Sequence, residues 1–237
     1  MKITVVGTGC IYTKENSACT LINDDLIIDI PNGTLKELLK KGYDVTKIKT
    51  VVVTHLHGDH TADIPFFLKL LFNSIRITDK ITIVGPEGTR KKLIEISNAY
   101  NFENEERFDS RFNLDFKEIS NDEFVVNNYK IKSYEVIHGT EENCLSYLIN
   151  DKLGITGDAC LCPNIEKLFS ESEIVISDTS VIEGDLNHLG IDNIKYLIDK
   201  YNTKVIPTHL RNVTREKLVE ENIEDFKVVD DFYETNI

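Results

Sequence analysis

Three imidazoles and a carboxylate fall between positions 55 and 60, in the stretch Thr54-His55-Leu56-His57-Gly58-Asp59-His60, directly after the apolar run Val51-Val52-Val53. A β-strand sends alternate side chains to one face, so His55 and His57 can point the same way as the chain leaves a strand. Asp59 and His60 then sit where the backbone turns, and can face the same space from the other side. Imidazole and carboxylate are ligands suited to zinc, and manganese or iron tolerate them. An ordinary polar turn has no reason to be so dense in such groups.

The chain has six histidines, at positions 55, 57, 60, 138, 188 and 209. His138 follows the apolar run 131–137, His209 follows 205–208, and Asp158 follows 153–157, so each stands at the end of an expected strand. Strand ends allow side chains from remote parts of a sheet protein to converge on one rigidly held point. His138 or His209 taken alone would read as a core or surface histidine; it is the opening motif that recruits them. His55, His57, Asp59, His60, His138, Asp158 and His209 together make an inventory for two divalent metal ions, zinc foremost, with manganese or iron as alternatives. Cys160-Leu161-Cys162, beside Asp158, lacks the usual spacing of a zinc-binding pair and reads as a pocket wall or a pair of buried thiols.

These residues need strands and helices to position them. Short apolar runs predict strands at 3–6, 19–22, 26–29, 49–53, 81–84, 114–119, 124–126, 129–137, 144–149, 152–156, 174–177 and 204–207. Asn23-Asp24-Asp25 and Asn150-Asp151 read as hairpin turns. Helical spacing predicts helices from Thr34 to Gly42, over 64–72 with Pro65 in the first turn, and over 86–100, 165–169 and 191–201. Residues 101–111, polar and acidic, read as a loop or a frayed helix end. Gly7-Thr8-Gly9 lacks the spacing of a dinucleotide site and reads as a tight turn. Strand meanders followed by alternating helix and strand occur twice, which predicts two mixed sheets face to face with helices outside. No Pro-, Gly- or Ser-rich linker divides the chain, so residues 1–237 are expected to form one domain with two similar halves.

At 237 residues, with 41% hydrophobic and 28% charged residues, the chain can bury a substantial core. Its formal net charge of -13 argues against a broad electrostatic footprint for nucleic acid. A small anionic substrate stays compatible, because bound divalent cations reverse the local field. The N-terminus shows no leader pattern and the longest apolar stretch contains Lys69, so no membrane span and a cytoplasmic location are expected. Five cysteines at irregular spacing do not suggest structural disulfides.

The string His55-Leu56-His57-Gly58-Asp59-His60 resembles the H-x-H-x-D-H signature of the metallo-β-lactamase superfamily, and the likeness extends over nearly the whole chain. The resemblance implies a mixed α/β fold, the four-layer αββα sandwich. It also implies that His55, His57 and His138 hold one metal ion, that Asp59, His60 and His209 hold a second, and that Asp158 bridges them. Within the superfamily the chain is more similar to the ribonuclease Z and phosphodiesterase branch. Gly7-Thr8-Gly9 after the first strand, Ile64-Pro65 after the histidine motif, Thr156-Gly157-Asp158 and Pro207-Thr208-His209 carry that likeness. Lactonases and thioesterases usually have Thr-Pro-Gly-His at the fourth histidine, where this chain reads Glu135-Val136-Ile137-His138-Gly139.

The resemblance implies a metal-dependent hydrolase in which two ions about 3.5 to 4 Å apart activate water and clamp a phosphodiester. Asp59 would orient the attacking water. His188, in Asn187-His188-Leu189-Gly190, would form a dyad with Asp178 of Ser177-Asp178-Thr179-Ser180 and protonate the leaving oxygen, although the family commonly has Glu at the acidic position. Ribonuclease Z proper carries an arm that grips transfer RNA, inserted between the fourth histidine and the bridging aspartate. Here only residues 139–157 occupy that interval. The expected substrate is therefore a smaller phosphodiester, a cyclic nucleotide or a short oligonucleotide, and extended transfer-RNA binding is not expected. Relatives of this kind are often homodimers, which is the expectation here. A lactonase or thioesterase using the same metals is the competing enzyme, and a metal-binding sensor on the same fold the non-enzymatic alternative.

Overall fold

The computed structural model describes residues 1–108 and 111–237. The strands are β1 (Lys2–Gly7), β2 (Cys19–Ile22), β3 (Leu26–Ile28), β4 (Thr50–Val52), β5 (Ile81–Pro86), β6 (Leu114–Ile119), β7 (Glu123–Val126), β8 (Tyr129–His138), β9 (Glu141–Ile149), β10 (Leu153–Ile155), β11 (Ile174–Asp178), β12 (Lys204–Thr208) and β13 (Tyr233–Asn236). The helices are α1 (Thr34–Lys40), α2 (Gly58–Thr61), α3 (Ile64–Lys69), α4 (Thr89–Ala99), α5 (Glu105–Arg111), α6 (Pro163–Glu171), α7 (Ile191–Tyr201) and α8 (Asn212–Glu221).

One sheet has the order β13-β1-β2-β3-β4-β5-β6 and the other β12-β11-β10-β9-β8-β7. Successive strands from β1 through β3 and from β7 through β10 pair antiparallel, and each sheet then continues in parallel strands. Period-two alternation divides the side chains among three apolar layers. Ile28, Val52 and Val84 meet Leu145, Tyr147, Ile155 and Ile176 between the sheets. Their neighbours Ile27, Val51 and Ile83 face outward against Leu35 of α1, Phe67 of α3 and Leu93 of α4. Val136, Val175 and Val205 cover the opposite face with Ile165 of α6, Ile194 of α7 and Leu218 of α8. The result has two mixed sheets face to face with helices outside, as the element order predicts, and is the four-layer αββα sandwich of mixed α/β class that the resemblance implies.

Three local expectations need correction. Pro86 closes β5 instead of opening a helix, because Gly88 takes a left-handed φ of 93° and α4 starts only at Thr89. The polar stretch 101–111 contains the helix α5, anchored by Phe108, which shares a buried cluster with Phe112 one turn on. The apolar run after His60 is helical as expected but changes from α to π geometry at Leu70–Ser74, and Phe66 remains exposed where the pattern predicts a helix buried almost all round. The sequence pattern raised no expectation for α8 or β13; β13 pairs with β1 at the edge of the first sheet. Among the described residues no helix is long and apolar enough to cross a membrane. All five cysteines are free and buried.

The two sheets are tied at one edge by polar bonds. The Tyr147 hydroxyl donates to the Val53 carbonyl at 2.7 Å, and the Leu145 amide donates to the Thr54 carbonyl at 2.9 Å. Tyr147→Phe deprives a buried carbonyl of its side-chain donor. It is expected to lower stability by about 1 to 3 kcal/mol, read as a fall in the urea midpoint at unchanged slope.

Candidate metal centre

Strand direction brings the donors to one edge. β3 and β4 run parallel, so Asp29 and the His55 loop emerge from the same end of the first sheet. In the second sheet β10, β11 and β12 run parallel, while β8 is antiparallel to β9 and β9 to β10. β8 therefore points the same way as the other three. His138 ends β8, Asp158 follows β10, Asp178 ends β11 and His209 follows β12. The two C-terminal edges meet at the Tyr147 tie, and Gly157 allows their close approach. With φ +59°, it would place a Cβ 2.8 Å from that of Thr54.

Donor atoms of His55, His57 and His138 all lie within 4.8 Å of one another, as do those of Asp59, His60 and His209. His55 Nε2 faces His57 Nδ1 at 3.1 Å. The Asp158 carboxylate lies between the two groups. Its Oδ2 is 3.9 Å from His55 Nε2, 4.0 Å from His138 Nε2 and 3.3 Å from His209 Nε2, and its Oδ1 is 3.5 Å from His60 Nε2. Asp59 Oδ2 stands 3.5 Å from His209 Nε2.

The surroundings fix which nitrogen of four of these rings carries hydrogen. The Thr54 hydroxyl donates to Asp29 Oδ2 at 2.7 Å, so its oxygen accepts from His55 Nδ1 at 3.1 Å. His60 Nδ1 donates to Asp29 Oδ2 at 2.7 Å, and His138 Nδ1 to the Asn187 carbonyl at 2.7 Å. His209 Nδ1 donates to Ser180 Oγ at 2.6 Å, and that hydroxyl donates to Asp178 Oδ1 at 2.8 Å. All four rings thus turn Nε2 toward the centre, and in the neutral form that nitrogen carries the lone pair. His60 Nε2 is buried without any hydrogen-bond partner, a costly arrangement unless a cation meets it. Two nitrogens about 2.0 to 2.1 Å from a tetrahedral ion lie roughly 3.3 Å apart, close to the His55–His57 separation. The donors present fit divalent metal.

Charge leads to the same conclusion. Burial alone would raise the Asp158 carboxyl, yet the imidazoles of His209 and His60 hold it well below the usual carboxylate range. Burial opposes charge on His60, but the carboxylates of Asp158 and Asp29 more than offset this and hold it well above its ordinary value. Burial drives His55 the other way, well below the ordinary imidazole value. The centre demands positive charge around Asp158 and has imidazoles that cannot all supply it as protons.

The remaining two candidates lie together beside this cluster. His188 Nδ1 is 2.9 Å from Asp178 Oδ2. Asp178 also accepts from the Ala159 and Ser180 amides and from the Ser180 hydroxyl, so its oxygens are occupied as supports and not offered as ligands. The His188 ring packs 5.0 Å from His138 and 5.2 Å from His209. Burial would lower the His188 pKa, and the hydrogen bond it donates to Asp178 reverses that and raises it. Cys160 and Cys162 are buried near Asp158, and the Cys162 side chain packs in the apolar layer beneath α6.

Asp29 is the functional residue that the sequence reading passed over. It is 3% exposed, has a left-handed φ of 57°, and accepts from the Thr54 amide, the Thr54 hydroxyl and His60. The available signal was a lone carboxylate at the end of an apolar strand, the same signature that singled out Asp158.

Fold and donor arrangement together define a metal-dependent hydrolase of the metallo-β-lactamase superfamily. Residues 1–230 match the family described as Anti-Pycsar protein Apyc1, and the chain belongs to that family. It is also similar to Ribonuclease Z of Staphylococcus carnosus (strain TM300), with 23% identity over 90% of this chain and 89% of that protein. Among solved structures, a diphosphatase from the PhnP family superposes with a TM-score of 0.79 at 15% identity, covering 100% of this chain and 97% of that one. The metallo-β-lactamase fold protein YhfI from Bacillus subtilis gives 0.77 at 15% identity, covering 99% and 98%.

Asp29→Asn replaces an oxygen that only accepts with a group that must also donate, facing three donors. It is expected to weaken divalent-ion binding by about 10- to 100-fold, measured by competition with a chromophoric chelator, and to shrink the rise in melting temperature that added metal produces.

Proposed function

We propose that the two donor groups hold two divalent ions, zinc on donor chemistry, and that the protein hydrolyses a small phosphodiester such as a cyclic nucleotide or a short oligonucleotide. In this reading His55, His57 and His138 ligate one ion, Asp59, His60 and His209 the other, and Asp158 both. The observation that carries the choice of reaction is the dyad: Asp178 holds His188 Nδ1 at 2.9 Å, next to both ligand groups. A hydrolase that expels an alkoxide needs such a donor.

Bound divalent ions would supply Lewis acidity, lowering the pKa of water and neutralising charge on the phosphoryl oxygens. Asp59, with one oxygen directed at His209 Nε2, keeps a second oxygen with which to accept a hydrogen bond from the attacking water and align it. Asp178 fixes His188 with its Nδ1–H turned outward, so Nε2 is the atom that delivers a proton to the leaving oxygen. Asp185 orients the loop that carries it, accepting from the amides of Asn187 and His188 at 2.7 and 2.9 Å.

Two features support a small substrate. The interval between His138 and Asp158 holds only β9, β10 and their turns, with no projecting arm, and the net charge of -13 repels a long polyanion. The names of the similar proteins, Ribonuclease Z and a PhnP-family diphosphatase, support phosphoryl chemistry over acyl chemistry. We extend the reading to one functional domain over residues 1–237, acting as a homodimer. Phe66 and Tyr100 are exposed, and with Phe102 they form an aromatic group with ring separations of 4.8 to 5.7 Å on which a second copy could bury apolar surface.

The expected outcome of a panel containing a generic phosphodiester, a cyclic nucleotide, a lactone and a thioester, with zinc or manganese, is turnover of the phosphodiesters. Turnover confined to the acyl substrates would sink the reading, and bound metal with no turnover would favour a sensor. His188→Ala is expected to keep both ions and lose about 10²- to 10⁴-fold in kcat. Wild-type turnover with both ions retained would remove His188 from the mechanism. Sedimentation equilibrium is expected to give twice the chain mass.

A further inference from the structure

His57 is oriented differently from the other four imidazoles of the cluster. Those turn Nδ1 outward to a protein acceptor and Nε2 inward, whereas His57 turns Nδ1 inward, 3.1 Å from His55 Nε2. Its outward atom is therefore Nε2, and the group that meets it is the Glu141 carboxylate, with Oε2 3.4 Å away.

The chain path fixes this encounter. β8 ends at His138, Gly139 and Thr140 form a two-residue turn, and β9 begins at Glu141, directly across from His138. Gly139 has φ +57° and Thr140 does not have positive φ, the pattern of a II′ hairpin turn, which takes glycine at its first central position. A Cβ on Gly139 would lie 2.2 Å from Asn187 Oδ1, and the Asn187 carbonyl is the group that holds His138 Nδ1. The turn that seats one ligand thus brings a carboxylate to another. Cross-strand neighbours in such a turn approach closely, so a side chain of glutamate length reaches the ring beside its partner.

Glu141 and His57 have side chains 51% and 39% exposed, and an exposed ion pair by itself adds little. The consequence lies in the tautomer. A carboxylate accepting the Nε2–H leaves the lone pair on Nδ1 and strengthens that nitrogen as a ligand. We propose that Glu141 is a positioning residue of the first metal cluster, accepting the Nε2–H of His57 so that Nδ1 faces an ion shared with His55 and His138. The proposal rests on the reading of that cluster as an ion site. It also gives the open side of the site, lined by Leu56, Thr140, Glu141 and Glu142, a role in holding metal.

Zinc affinity of the full chain, measured by chelator competition, tests this with Glu141→Ala, Glu141→Gln and His57→Ala. Glu141→Ala is expected to weaken one of two ions about tenfold or more, and Glu141→Gln, whose amide oxygen still accepts, to stay within about threefold of wild type. Imidazole ¹⁵N spectra are expected to show His57 protonated on Nε2 in the wild type and in Glu141→Gln, with that preference lost in Glu141→Ala. Unchanged affinity in Glu141→Ala, an equal loss in both Glu141 variants, or a wild-type His57 protonated on Nδ1 would each overturn the proposal. His57→Ala separates the two levels. If it keeps both ions at full affinity, the cluster reading itself falls; if it loses one while Glu141→Ala loses none, only the role of Glu141 falls.

Discussion

A carboxylate buried among imidazoles sets the terms for the rest of this molecule. Asp158 is 4% exposed and lies within 4.0 Å of four histidine rings. An ionised carboxylate removed from water is destabilised by several kcal/mol unless positive charge or hydrogen bonds compensate it. The carboxylates favour the charged form of His60, but burial of His55 opposes its protonation, so the imidazoles cannot all supply that charge. Divalent cations satisfy the carboxylate and the inward nitrogens together. The surrounding protein can then be understood as the apparatus that keeps those nitrogens unprotonated and pointed inward.

That apparatus is polar, buried and shared. Asp29 serves His60 directly and His55 through the Thr54 hydroxyl. Asp178 serves His188 directly and His209 through Ser180. Each sheet therefore contributes one carboxylate that fixes two rings, from opposite sides of the centre. Asp29 and His209 both adopt left-handed backbone, with φ of 57° and 55°, a region uncommon for non-glycine residues that Asp and His enter more readily than most. The bonds from Tyr147 and Leu145 into the first sheet tie the two C-terminal edges together.

The legibility of these parts in the sequence follows their locality. The residues of the histidine motif are neighbours in the chain, and His138, Asp158 and His209 each close an apolar run, so periodicity alone places them at strand ends. Asp29 has the same local signature but its meaning is non-local: its donors come from positions 54 and 60. Glu141 is further hidden, since its role depends on a two-residue turn that makes it the partner of His138, while the apolar pattern of β9 starts only at Cys144. The helix α5 escaped notice because Phe108 and Phe112 bury a stripe beneath an acidic surface, and β13 because an edge strand that stays largely exposed needs little apolar sequence. Apolar periodicity reports burial, and two buried rings at α5 or an exposed edge strand offer too few apolar positions to register.

The contrast between whole-molecule charge and local charge bears on what the site can accept. A net charge of -13 weakens long-range attraction of any polyanion, and that penalty grows with the number of phosphates presented. On the proposed function, two bound cations would act over a shorter range: within a Debye length of about 8 Å at physiological salt they would dominate the field felt by a single phosphodiester. A substrate with one negative charge therefore meets the attraction without the accumulated repulsion. Glu141 adds to this selectivity from the rim, as a negative group on the open side of the cluster that also orients a ligand. On the proposed function, a phosphodiester with few charges and a leaving oxygen directed toward His188 would satisfy the local field and the dyad at once.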